Sequence, residues 1–271
     1  MPYKHGDKFN FLLISDVHFD NPKCKRDLFF KHLDKAKEKN AGVLCFGDFF
    51  CLMQGKYDPR RNKKAVRPEH NKDNYVDAVF SDTADKIAPW AKQFILFSDG
   101  NHETAILKNL EINPLDNLVD KLNYKYNGNA FHMPYQGFVR FVFESAKDGG
   151  RVRSKTLYFH HGKFGGVVSK GSQGVGRHGL VVPDADIVIT GHTHDRWIME
   201  QPRYRLKQNG EVKVEKQIHI KSGTYKEEFE DGGGWAIEKI AMPKSADGGW
   251  WLEFEIGGGG TVVKQSFQMT N

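Results

Sequence analysis

Phe11-Leu12-Leu13-Ile14-Ser15-Asp16-Val17-His18 is four apolar residues in a row and then a turn that carries an aspartate and a histidine. A short apolar run without polar alternation is what a strand buried on both faces requires, and such sheets are mostly parallel strands joined by helical crossovers. The arrangement recurs. Val43-Leu44-Cys45-Phe46 leads into Gly47-Asp48, and Phe94-Ile95-Leu96-Phe97 into Asp99-Gly100-Asn101-His102-Glu103. Leu157-Tyr158-Phe159 leads into His160-His161-Gly162, and Ile187-Val188-Ile189 into Thr190-Gly191-His192-Thr193-His194. Every run ends in metal-ligand chemistry. Open α/β sheets place functional residues at the carboxyl ends of their strands, so these ends are expected to converge on one crevice.

The connectors agree with that reading. Asn21-Pro22 reads as a helix start, with Phe29, Leu33 and Ala36 on one face before Asn40-Ala41-Gly42 stops it. Residues 73–88 and 104–124 also read as helical, Pro89 ending the first and Pro114 breaking the second. After residue 195 the pattern changes. Glu211–Glu215, Gln217–Ile220 and Trp250–Ile256 alternate like antiparallel strands, separated by glycine clusters at 232–234 and 257–260, and are expected to form a second sheet packed on the first. No linker divides the chain, so one domain over 1–271 is expected, with 226–271 as its β-rich C-terminal extension.

A chain of 271 residues, 39% of them hydrophobic, supports an ordinary packed core. No apolar stretch approaches the roughly 20 residues that span a bilayer, and the first residues lack the apolar core of a signal peptide. A cytoplasmic protein with no membrane partner is therefore expected. Cys24, Cys45 and Cys51 show no CxxC spacing and read as buried reduced thiols. The net charge of +6 is mild, so its distribution matters more than its sum. Nothing in the sequence fixes an oligomeric state.

Together the strand ends offer Asp16, His18, Asp48, Asn101, His161, His192 and His194, an oxygen and nitrogen set without sulfur. Periodicity does not choose between His160 and His161. Such a set suits Mn, Fe, Zn and related divalent ions. It is too large for one tetrahedral ion, and two ions bridged by a carboxylate, roughly 3.5–4 Å apart, would use it. Two divalent ions less two aspartates leave a surplus of about two positive charges, which suits a hydroxide attacking a phosphoester.

The blocks DVH, GD, GNHE, HG and GHTH, in that order and each after an apolar strand, resemble the signature motifs of the calcineurin-like metallophosphoesterase superfamily. The resemblance covers residues 11 to about 225, including Lys221-Ser222-Gly223-Thr224, which stands where that family often has an Asn-Pro-Gly-Ser turn. It implies an α/β fold of two packed mixed β-sheets flanked by helices, a four-layer αββα sandwich. It further implies that Asp16, His18 and His194 hold a first ion, that Asn101, His161 and His192 hold a second, and that Asp48 bridges them. The ligand of the fourth block then falls on His161, before the glycine, and His160 is structural. The chemistry implied is in-line attack by a metal-bound hydroxide, with His102 beside the leaving group. Two divalent ions per chain are expected, Mn first, with Fe, Zn, Ni or Co as alternatives.

His5, His32, His70, His132, His178 and His219 have no motif context and read as structural. Many family members carry an acidic or amide residue three positions after the bridging aspartate; here that position is Cys51, so support from it is expected to be missing. The chain also lacks the Val-Asp-Arg-Gly continuation of protein phosphatases, which argues against a phosphoprotein substrate. Residues 56–68, rich in Lys and Arg and including Arg60, Arg61, Lys63 and Lys64, read either as a solvated loop or as a guide for a nucleic-acid backbone. The glycine-rich run 162–179 reads as a mobile lid. A phosphodiesterase acting on nucleic acid or a nucleotide is the reading these features favour. A phosphomonoesterase with the same centre and a non-catalytic interaction module are its rivals.

Overall fold

The computed structural model describes residues 1–52, 66–145, 152–162, 168–206, 208–230, 232, 235–257 and 262–271. The first half of the chain runs β1 (Pro2–Tyr3), β2 (Lys8–Ile14), α1 (Arg26–Glu38), β3 (Gly42–Phe46), α2 (Tyr75–Ile87), β4 (Phe94–Ser98), α3 (Asn101–Leu110), α4 (Pro114–Tyr126) and β5 (Phe131–Met133). The second half runs β6 (Gln136–Ser145), β7 (Val152–His160), α5 (Gly174–Val181), β8 (Ile187–Thr190), β9 (Arg196–Leu206), β10 (Val212–Ser222), α6 (Trp235–Ile240), β11 (Trp250–Gly257) and β12 (Val262–Met269). The strands form two mixed six-stranded sheets, ordered β12-β11-β2-β3-β4-β5 and β1-β6-β7-β8-β10-β9.

In the first sheet β2, β3, β4 and β5 are parallel, and β11 and β12 extend it antiparallel beyond β2. Its two faces are buried by different partners. Leu13, Leu44, Phe46 and Leu96 meet Phe159, Ile187, Ile189 and Ile220 of the second sheet. Leu12, Ile14, Val43 and Phe97 meet Phe29 and Leu33 of α1, Phe80 of α2 and Leu118 of α4. Burial on both sides is why these strands read as unbroken apolar runs. The second sheet has a smaller outer cover: Tyr158 and Val188 pack with Val182 and Ala185, just beyond α5. The layers are thus helices, sheet, sheet and a short helix.

Two packed mixed sheets are as expected, and the five apolar runs divide between them. Three of the apolar runs, β2, β3 and β4, lie in the first sheet, and β7 and β8 lie in the second. The alternating segments do not form a sheet of their own. β10 pairs parallel to β8 and antiparallel to β9, whereas β11 joins β2. The alternation in β11 has a local cause: Trp250, Leu252, Phe254 and Ile256 face the other sheet, Trp251 packs in the core shared with α1, and Glu253 pairs with Lys8 at 2.8 Å.

Helix ends follow the local chemistry. Asn113 accepts N–H bonds from Leu115 at 3.1 Å and Asp116 at 3.2 Å, so Pro114 opens α4 rather than breaking a longer helix. α1 begins later than Asn21-Pro22, because Asn21 Oδ1 accepts the Lys23 N–H at 2.9 Å and makes a turn, and Cys24 then bridges to Lys226. Among the described residues no helix is long and apolar enough to cross a membrane.

Candidate metal centre

The carboxyl ends of β2, β3 and β4 in one sheet face those of β7 and β8 in the other, and the polar residues after them meet in one place. Asp16 and His18 follow β2, Asp48 follows β3, and Asn101 and His102 open α3 just after β4. His161 follows β7, and His192 and His194 follow β8. Asp16, His18, Asp48, His161 and His194 are all buried.

Backbone conformation aims these side chains. Asp16, His18, Asp48, His192 and His194 all have φ between 50° and 73°, the left-handed region that costs a non-glycine residue about 1–2 kcal/mol. In Asp16-Val17-His18 and in His192-Thr193-His194 the first and third residues take it. The surroundings hold them there. Asp16 N–H donates to Gly47 O at 3.0 Å and His18 N–H to Asp48 O at 3.1 Å, which ties the loops after β2 and β3 side by side. Two glycines permit the close approach: a Cβ at Gly100 would run into Asp48 Oδ1, and one at Gly191 into Ser15 Oγ and Asp16 Oδ2.

Two ligand groups result, Asp16 with His18 and His194, and Asp48 with His161 and His192. In the first, Asp16 Oδ1 lies 3.3 Å from His194 Nε2 and 4.0 Å from His18 Nε2, and the two Nε2 atoms are 3.2 Å apart. In the second, His161 Nε2 lies 3.1 Å from Asp48 Oδ2 and 4.0 Å from Asp16 Oδ1, so both carboxylates reach one imidazole. Asn101 Oδ1 lies 2.7 Å from His192 Nδ1, at the edge of this group. His102 Nε2 stands 3.9 Å from Asp48 Oδ2.

Asp16 Oδ1 and His161 Nε2 are buried, and beyond the close approaches of His194 and Asp48 neither makes a well-formed hydrogen bond among the described residues. Buried polar atoms so poorly satisfied cost up to about 1–3 kcal/mol each unless something else binds them. Carboxylate and imidazole donors around them suit divalent first-row ions, so the residues present fit a metal centre.

Electrostatics point the same way. Burial works to raise the Asp16 and Asp48 carboxyls, yet the facing imidazoles hold both below the usual carboxylate range. Burial pushes His18 well down, helped by Lys226, and also lowers His192, leaving neutral rings with a lone pair to give. His161 goes the other way: against its burial, Asp48 and Asp16 raise it to about 9.

Further residues hold the ligands. Glu103 accepts the N–H groups of Gly100 at 2.8 Å, Asp48 at 3.0 Å and Phe50 at 3.0 Å; burial and the Asp48 charge push its pKa up to about 8. Thr224 Oγ1 donates to Asp16 O at 2.8 Å, Ser222 Oγ meets Ser15 Oγ at 2.6 Å, and the buried Lys221 donates to Gly191 O at 2.6 Å. The Lys-Ser-Gly-Thr turn thus braces the loops of Asp16 and His192. The expectation that position 51 gives no support is overturned. Cys51 Sγ lies 3.0 Å from His18 Nδ1, and the Cys51 carbonyl accepts His102 Nδ1–H at 2.8 Å.

Most of the remaining histidines have local partners. His160 Nδ1 accepts Gly162 N–H at 2.9 Å, His32 Nδ1 meets Tyr225 OH at 2.9 Å, and His219 Nε2 meets Gln217 Oε1 at 2.9 Å. His132 lies between Asp99 at 2.9 Å and Asp116 at 2.7 Å. His70 and Glu69 form a group with Asp82 that is met by Arg26 at 2.9 Å and Lys86 at 2.6 Å, an ion-pair network. Of the basic segment 56–68, residues 56–65 with Arg60, Arg61, Lys63 and Lys64 lie outside the described residues. Arg67 donates to the carbonyls of Asn21 and Cys24, both at 3.0 Å. In the glycine-rich run, residues 163–167 also lie outside, and Lys170 O accepts Trp197 Nε1–H at 2.9 Å.

A sandwich of two sheets with an oxygen and nitrogen donor set across the strand ends suits a metal-dependent enzyme. The sequence model of the calcineurin-like phosphoesterases matches residues 9–196, well over half of the 271 residues, and the chain belongs to that family. It is accordingly a hydrolase of phosphoester bonds that uses divalent metal ions. Among curated proteins none matches it significantly. Similar solved structures include the calcineurin-like phosphoesterase YfkN of Bacillus subtilis, at 11% identity and TM-score 0.42, covering 98% of this chain and 91% of that one. GAP50 of Plasmodium, described as an anchor in the inner membrane complex, is similar at 13% identity and TM-score 0.43, covering 97% and 85%. A predicted phosphoesterase of Streptococcus pneumoniae has 13% identity and TM-score 0.33, covering 97% and 91%. Likenesses of that size add no weight to the family match.

Proposed function

We propose that the chain is a dinuclear phosphodiesterase whose substrate is nucleic acid or a nucleotide, and that Mn is its favoured metal. The adjacency of the two ligand groups carries this reading: Asp48 Oδ2 at 3.1 Å and Asp16 Oδ1 at 4.0 Å from the same His161 Nε2 leave the groups side by side, with Asp48 able to serve both. Asp16, His18 and His194 would hold one ion, Asn101, His161 and His192 the other. When bound, the ions supply Lewis acidity toward the phosphoryl oxygens and a nucleophile at neutral pH.

The chain's own residues orient and protonate. The Cys51 carbonyl can only accept, so His102 Nδ1 carries a proton and Nε2 faces the cleft beside Asp48. A proton on Nε2 can pass to the departing oxygen. His102 N–H donates to Asp48 Oδ1 at 3.0 Å and so fixes the carboxylate that the ions share.

Charge favours a diester. Lys244, which sits against the His194 loop, is committed to Asp195, and Lys226, which raises the potential at His18, is committed to Glu228. Neither is left to neutralise the second charge of a monoester. The sequence of residues 56–68 adds the argument for a polyanion.

Turnover of bis-p-nitrophenyl phosphate and of p-nitrophenyl phosphate with added Mn is the first test, and faster diester cleavage is expected. Preference for the monoester would reverse the assignment. Replacing Arg60, Arg61, Lys63 and Lys64 together with serine should weaken nucleic-acid binding and flatten its salt dependence, each lost contact lowering the log–log slope by roughly 0.7–0.9, while the small diester is cleaved as before. An unchanged salt slope would leave a small phosphoester as the substrate.

A further inference from the structure

Two imidazoles of the centre meet on one cysteine. Cys51 Sγ lies 3.0 Å from His18 Nδ1 and is approached by Asn21 Nδ2 at 3.3 Å, while the carbonyl of the same residue accepts His102 Nδ1–H at 2.8 Å. The cysteine is fixed by its backbone. Asp20, two residues after His18, accepts the N–H of Cys51 at 2.6 Å and of Leu52 at 2.8 Å, and Phe19 N–H donates to Phe49 O at 2.8 Å. His18 and Cys51 therefore belong to two loops laced together, and Sγ has no other place to go.

An imidazole that gives one nitrogen to a metal carries its proton on the other, and whatever accepts that proton sets the ring's tautomer, orientation and basicity. His18 Nε2 is the atom that converges with Asp16 and His194, so Nδ1 carries the proton and sulfur is its acceptor. Sulfur is a weak acceptor. In the neighbouring group His161 Nδ1 leans instead on the carbonyl oxygen of Phe46 at 3.0 Å, a stronger one.

We propose that Cys51 is the positioning residue of His18, and that its sulfur, a weak acceptor, makes the ion held through His18 the weaker and more exchangeable of the two. The proposal rests on the two-ion reading given above. A stronger acceptor on Nδ1 would bind that ion more tightly; the Cys51 sulfur fixes the ring while drawing on its proton only weakly.

Calorimetric titration of Mn²⁺ into the full-length chain, wild type beside Cys51→Ala and Cys51→Ser, tests the idea. Loss of a supporting group of this kind costs roughly 10–100-fold in metal affinity, so Cys51→Ala should weaken the weaker of two ions by that factor and leave the other unchanged. Serine, whose hydroxyl oxygen is the stronger acceptor for Nδ1–H, should bind that ion at least as tightly as the wild type. In the Zn²⁺-loaded wild type and Cys51→Ser, nitrogen NMR of His18 should show a single tautomer protonated at Nδ1, and Cys51→Ala should lose that signature. If Cys51→Ala does not fold, Cys51→Val removes the same acceptor with more volume. Two ions bound with wild-type affinities in the alanine or valine variant would overturn the proposal. A wild-type chain that takes up no Mn²⁺ would overturn the two-ion reading itself, and this proposal with it.

Discussion

The Glu103 carboxylate accepts the backbone N–H of Asp48 at 3.0 Å, bolting the first turn of α3 to the loop after β3. The same oxygen accepts Gly100 N–H at 2.8 Å, so one buried side chain sets the distance between Asp48 and the pair Asn101 and His102. Glutamine has one acceptor where glutamate has two, and an amide N–H would then face a backbone N–H. Glu103→Gln should lose about 1–3 kcal/mol of stability and should lower turnover as well, because it loosens Asp48. Urea unfolding and turnover measured together check this. Wild-type values for both would show that Glu103 holds nothing the centre needs.

His102 offers a separable test of the chemistry. Its Nδ1–H donates to the Cys51 carbonyl and its Nε2 stands 3.9 Å from Asp48 Oδ2, a position beside the proposed metal ligands. His102→Gln should slow esters with poor leaving groups far more than activated nitrophenyl esters, since proton donation matters only where the departing oxygen is basic. Metal content should stay at the wild-type level. Equal losses on both kinds of ester would assign His102 to positioning instead.

The strand ends were legible because each couples an apolar run to its ligand within a few residues, as in Phe46-Gly47-Asp48. Local patterns do not carry what the two sheets do to each other. Glu253 and Glu255 alternate with apolar neighbours because β11 has only part of one face covered, and nothing in its sequence separates that case from a strand of a second sheet. Left-handed backbone at Asp16, His18, Asp48, His192 and His194 was likewise invisible, since it is imposed by the contacts of the loops with one another. Cys51 reaches His18 across two such loops, and its residue type argued against a supporting role. Glu103 did leave a trace. It stands three residues after Gly100, at the spacing from which a side chain folds back on a helix start.

Buried histidines are expected to weaken the fold as pH falls. Burial pushes His219, His178 and His32 each down to about 4 from an ordinary 6.5. The unfolded chain takes up these protons near 6.5 and the folded chain only near 4, so their contribution to stability is full above 6.5 and is lost as pH falls toward 4. His132 acts in the opposite sense: against its burial, Asp99 and Asp116 raise its pKa, and its contribution is lost as pH rises through the raised value. Comparing His219→Gln with wild type isolates one group. The urea midpoint of the variant should fall less steeply between about pH 7 and pH 5, because glutamine cannot take up the proton. Parallel slopes would mean that His219 titrates alike in both states.

Asp48 is the residue on which the ion count turns. Its Oδ1 accepts His102 N–H at 3.0 Å, a bond that the amide oxygen of asparagine can also accept, so Asp48→Asn should fold as the wild type does. What it removes is the negative charge 3.1 Å from His161 Nε2 and opposite the Asp16 group. If two divalent ions are held as proposed, the two aspartates leave a surplus of about two positive charges; without the Asp48 charge it would rise to about three, packed into a buried cleft. At least one ion should be released. Elemental analysis of metal-loaded protein should therefore give about two ions per wild-type chain and one or fewer in the variant, with turnover down by orders of magnitude. A wild type that never exceeds one ion would remove the dinuclear model, whereas a variant that keeps both ions and most of its turnover would remove only the bridging role of Asp48.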